Sequence, residues 1–137
     1  MGVNVHWHDK ARGILLLTYG KQWSWLELYE ALQLRTTMLR LEGFTRYHVI
    51  HDLGAQPYVP HYALPNAYHI IQRSRPALQT VTVVTPSLLL KRLIEAGHQL
   101  YPDTRNVVQY APDMQTAQDG LDRFFACCGS DAGGAAV

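Results

Sequence analysis

The chain has 137 residues, a length that suits one domain with a single core, and 47% hydrophobic with 17% charged residues is an ordinary composition for a folded protein. Twelve Lys and Arg are interspersed with eleven Asp and Glu, a formal net charge of +1 with no basic stripe. The counterion-release affinity of nucleic-acid binders has no source in that balance, so no nucleic-acid partner is expected.

The start Met1-Gly2-Val3-Asn4-Val5-His6 lacks the basic residues and apolar core of a signal peptide, and residue 6 is not the Ser or Thr of a myristoylation signal. No apolar run reaches the ~20 residues of a membrane span. Cys127 and Cys128 are adjacent, too few and too badly placed for a disulfide framework or a zinc site. The expectation is an unexported protein of a reducing cytoplasm, with no metal and no cofactor.

Val3 to His8 and Gly13 to Tyr19 read as two strands of a hairpin, with Gly13 suited to a left-handed turn. Ser24 and Glu27 form a capping box, and Trp23 can staple onto Leu28, so a helix starts at Ser24 or Trp25. Gly43 ends it. Tyr47 to Leu53 is the central strand, and the loop from Gly54 to Pro60 leaves its carboxyl end, where open α/β sheets place their working surface. Pro57, Pro60 and Pro65 delay the second helix to Ala63–Pro65, from which it runs to about Arg73.

Thr80 to Thr85 is rich in β-branched residues and reads as a strand. Thr85-Pro86 supplies a cap and a first-turn proline for a third helix, which ends around His98 to Tyr101. Asn106 to Tyr110 is the last strand, and Asp113 caps a helix to about Phe125. Residues 1–126 therefore form the domain, and 127–137 a flexible tail. The order β-β-α-β-α-β-α-β-α predicts an α/β fold with a mixed, mostly parallel sheet and an opening hairpin. Threonines alternating with Val81 and Val83 predict that one sheet face is less dry than the other.

This order, the aromatic stretch Trp23-Ser24-Trp25, the strand ending Ile50-His51-Asp52-Leu53 and the closing helix from Asp113 to Phe125 resemble the STAS-like, or SpoIIAA-like, superfamily. The resemblance spans about Val5 to Phe125. It implies a bacterial signalling module that works by binding. Antagonists of that group carry a phosphorylated Ser or Thr directly after an Asp at the end of the equivalent strand. Here Asp52 is followed by Leu53-Gly54-Ala55, and no Ser or Thr occurs before Pro60. The phosphoswitch is absent, since phosphate needs an acceptor oxygen.

Two surfaces are candidates for function. Asp52, Gly54, Tyr58, His61 and Tyr62 form an interaction loop for a protein partner, with the Asp52 carboxylate holding the turn and Gly54 making it sharp. Trp23, Trp25 and Tyr68 could instead line an apolar pocket, in which case the chain carries or senses a small apolar ligand, as SEC14-type relatives imply. His51, Asp52 and His61 are weighed as an acid/base group, but adjacent strand residues point to opposite faces, and a non-enzymatic role is preferred. His6-x-His8 places two potential metal ligands on one strand face without a third, so solvent-facing histidines are the plainer reading. Near-zero net charge and a mixed sheet face point to a two-fold homodimer.

Overall fold

The computed structural model describes residues 2–128. Strand β1 (Val3–Asp9) turns through a short 3-10 segment, Lys10–Arg12, into β2 (Ile14–Tyr19), and Gly13 closes the turn with φ 70°. Helix α1 (Trp25–Glu42), β3 (Tyr47–Asp52), α2 (Ala63–Ser74), β4 (Leu78–Val84), α3 (Leu88–Leu100), β5 (Val108–Ala111) and α4 (Met114–Cys128) follow. The fold is α/β, and the element order is the one the sequence predicts.

The capping box of α1 is complete: Ser24 Oγ accepts from Glu27 N–H at 3.1 Å, and the Glu27 carboxylate accepts from Ser24 N–H at 3.0 Å. Gly43 ends the helix at φ 77°, and Phe44 N–H reaches back to the Leu39 carbonyl at 3.0 Å. Helix α3 departs from expectation. Its cap is Ser87, whose Oγ accepts from Leu90 N–H at 3.3 Å. The Thr85 hydroxyl donates to the Gly54 carbonyl at 2.7 Å, a bond between strand ends that no local pattern reveals, and accepts from Ser87 N–H at 3.2 Å rather than from an N–H of the helix. Helix α4 runs to Cys128, past the expected Phe125, since Ala126, Cys127 and Cys128 contain no breaker. The remainder of the expected tail, 129–137, lies outside the described residues.

The five strands lie in the order β1-β2-β3-β4-β5; β1 pairs antiparallel with β2, and the other pairs are parallel. Each helical crossover from β2 to β5 therefore steps in the same direction. Right-handed connections then place α1, α2 and α3 on one face of the sheet. The chain has only α4 left to cover the other. Two apolar clusters result. The larger joins Leu15, Leu17, Val49 and Val81 to Leu28, Leu32 and Leu39 of α1 and Ile71 of α2. The smaller joins Ile14, Ile50, Val84 and Ala111 to Ala117 and Leu121 of α4.

Strand β2 is buried on both faces and reads as the continuous run Ile14-Leu15-Leu16-Leu17. The face under α4 is the more polar one. His48, Thr80 and Thr82 are buried there, with His48 Nδ1 hydrogen-bonded to Thr80 Oγ1 at 2.7 Å. Phe124 packs edge to face with the imidazole and Phe125 packs on it at a tilt, both with centroids 4.9 Å away. A groove bordered by Thr80, Thr82, Gln109 and Thr116 runs beside α4. One helix cannot seal five strands, and the threonines tolerate the water that a full apolar face would not.

Candidate functional site

Between the sheet and its three-helix layer lies a cavity of ≈ 190 Å³. Val49 and His51 of β3, Val81 and Val83 of β4 and Val108 of β5 form its floor. Leu28, Leu32 and Arg35 of α1, Leu64, Ala67 and Tyr68 of α2, and Leu93, Ile94 and Gly97 of α3 form its walls. Small side chains at Ala63 and Ala67 leave the space, because a dense core would fill those positions with larger groups. Gly97 lets α3 approach α2: a Cβ there would stand 3.3 Å from Leu64 Cδ2. The volume exceeds the ~150 Å³ of an apolar cavity that stays dry and admits benzene.

Aromatic groups from both flanks of the cavity anchor its borders. Trp23 and Trp25 meet edge to face at 5.1 Å, and Tyr19 packs on Trp23 at 4.8 Å. Their indole N–H groups donate to backbone carbonyls of the loop after β3, Trp23 to Tyr58 at 2.8 Å and Trp25 to His61 at 2.7 Å. That loop is thereby strapped to the start of α1. Tyr68 stacks on Tyr101 with centroids 3.9 Å apart and donates its hydroxyl to Asp103.

Tyr19, His51 and Arg35 are three of the polar side chains lining this space; His98 and Thr104 also line it, each hydrogen-bonded to a backbone carbonyl. Tyr19 Oη and His51 Nδ1 lie 2.6 Å apart. Burial, with the Arg35 charge nearby as a second cause, pulls the imidazole down to about 4, so His51 is neutral at neutral pH. Burial likewise raises the Tyr19 hydroxyl well above its ordinary value. Arg35 is the third. It is 8% exposed, its guanidinium lies over the Tyr47 ring at 5.1 Å, and one terminal nitrogen reaches Ser74 Oγ at 3.4 Å. Its Nε is buried without a hydrogen-bond partner, and burial lowers its pKa. No ion pair among the described residues includes it.

Of the residues singled out from sequence, Trp23, Trp25 and Tyr68 all line the cavity. The loop group is dispersed. Asp52 accepts from Gly54 N–H at 3.1 Å, and Gly54 adopts φ 75°. Tyr58 and His61 engage the tryptophans through their carbonyls, while Tyr62 takes φ 64° ahead of α2 and is 78% exposed. His51 hydrogen-bonds to Tyr19, and Asp52 to its own loop, so His51, Asp52 and His61 do not assemble into an acid/base group. His6 is exposed near Thr18, whereas His8 turns to Gln118 of α4 at 2.6 Å. Among the described residues no cluster of three or more His, Cys, Asp or Glu could hold a metal ion, and no helix is long and apolar enough to cross a membrane.

Sequence reasoning passed over Arg35 and Tyr19. A signal for Arg35 exists: it falls on the apolar stripe Leu28, Leu32, Leu39 at helical spacing, so it faces inward with them. No family model matches the chain, and no curated protein or solved structure matches it either.

Proposed function

We propose that this protein binds a small, largely apolar molecule in the cavity between its sheet and α1–α3, as a carrier or sensor and without catalysis. The observation that carries the reading is the cavity itself: a partly open, mostly apolar space meeting a few polar groups, the usual make-up of a ligand site. Native mass spectrometry of the purified protein tests it, together with titration of apolar probes of ring size. A retained small molecule or saturable probe binding supports the reading. A bare chain that binds no probe at millimolar concentration refutes it.

A second reading, a protein-interaction module that functions as a homodimer or with another chain in a bacterial cytoplasm, draws support from the exposed side chains at the carboxyl end of the sheet. Tyr58 and Tyr62 of the loop and Leu88 and Leu89 at the start of α3 are 40%, 78%, 68% and 75% exposed. The two roles are compatible, since a sensor reports its ligand through such a surface.

A further inference from the structure

Arg35 is the one Lys or Arg among the residues lining the cavity. It enters from α1, and no Asp or Glu stands among the lining residues. A guanidinium that is 8% exposed is costly to hold, because desolvation of an ion is compensated only by a close counter-charge and filled hydrogen bonds. Arg35 has neither in full. Its Nε donor is unpartnered, its contact with Ser74 is long at 3.4 Å, and the Tyr47 ring supplies only a face. A structural role for Arg35 would place a carboxylate beside it, as Asp9 and Asp122 stand beside Arg12.

On the reading that the cavity is a ligand site, we propose that its ligand is a small apolar monocarboxylate whose carboxylate pairs with Arg35. The planar guanidinium offers donors in a fork that matches a carboxylate, and Arg35 lines the cavity with its Nε making no hydrogen bond in the empty protein. The stoichiometry follows from the neighbours. Arg35 is the one Lys or Arg in the lining and His51 is neutral at neutral pH, so the permanent charge of the site is a single positive one, matched by a single negative one. A dianionic phosphate would bury an uncompensated charge. The body of the ligand occupies the apolar floor of Val49, Val81 and Val83, and ≈ 190 Å³ suits a ring or a short chain rather than a long lipid tail.

Calorimetric titration of the full chain with matched pairs tests the assignment: 3-phenylpropionate against 3-phenylpropanol, and octanoate against 1-octanol, with octyl phosphate as a dianionic probe. The wild type is expected to bind each carboxylate at least tenfold more tightly than its alcohol, and octyl phosphate more weakly than octanoate. In Arg35→Met the carboxylates lose at least tenfold while the alcohols bind as before, which also shows that the cavity has kept its shape. Equal binding of acid and alcohol to the wild type, or discrimination that survives in Arg35→Met, overturns the carboxylate assignment and leaves the cavity as a ligand site. Preference for octyl phosphate overturns it in favour of a phosphate head. Failure of every probe to bind the wild type overturns the ligand site and the assignment together.

Discussion

Replacing Arg35 by methionine is expected to make the empty protein more stable, although it removes the residue assigned to the ligand. The side chain is 8% exposed and meets no carboxylate, so its desolvation, several kcal/mol for a buried ion, is poorly compensated. The unpartnered Nε contributes about 1–3 kcal/mol to that cost. Against it stand a cation–π contact with Tyr47, about 1 kcal/mol, and a long bond to Ser74, roughly 0.5 kcal/mol. Ser74 is not orphaned by the change, because its hydroxyl already donates to the Ile70 carbonyl at 2.7 Å. Methionine keeps the length and fills the space with a flexible apolar chain. The balance is a gain of about 1–2 kcal/mol, read as an increase of roughly 0.5–1 M in the urea midpoint at unchanged slope. Urea unfolding followed by far-ultraviolet circular dichroism measures it. A midpoint that falls by a similar amount would mean that Arg35 is well compensated in the empty protein, and the argument for a missing counter-charge would fail.

His48 and His51 are both held down to about 4 by burial, so the unfolded chain binds more protons than the folded one between about pH 4 and 6.5. Stability is therefore full above the unfolded value and falls as pH drops through that window, by roughly 1.4 kcal/mol per pH unit for each histidine; urea midpoints that stay flat from pH 7 to 4.5 contradict this. Gly54→Ala is expected to cost about 1 kcal/mol from φ 75° alone, because a Cβ there meets nothing within 4 Å, and a neutral result in the same urea assay would show that the loop relaxes freely. Thr85→Val removes a fully buried hydroxyl that donates to the Gly54 carbonyl and accepts from Ser87 N–H. A loss of about 1–3 kcal/mol is expected, with faster amide exchange at Ser87, and protection equal to the wild type would show that the link is dispensable.

Local chemistry was enough to read the elements. Ser24, Glu27 and Gly43 delimit α1 because caps and left-handed glycines act within a few residues, and the hairpin turn at Gly13 is fixed in the same way. The alternation of Thr80 and Thr82 with Val81 and Val83 signalled a wetter sheet face, and that is the face under α4. Trp23, Trp25 and Tyr68 were singled out by type, since aromatics combine large apolar area with a polar edge, but type alone does not separate a pocket wall from core packing.

The rest depends on separations that no window of sequence spans. Thr85 looks like a cap, but its hydroxyl donates to Gly54, thirty-one residues away, and accepts from Ser87 N–H, while Ser87 caps the helix. Strand alternation in the sequence already separates His51 from its neighbour Asp52, but the partner it meets, Tyr19, lies thirty-two residues away. The cavity is decided wholly at the tertiary level. It exists because the strand order sends three crossovers to one face, and because Ala67 and Gly97 fail to fill the space where their helices converge. Arg35 is an ordinary helix residue in sequence. Only the packing of α1 and α2 over β3 removes water from it without supplying a counter-charge, and an uncompensated charge is a property of surroundings, not of a residue.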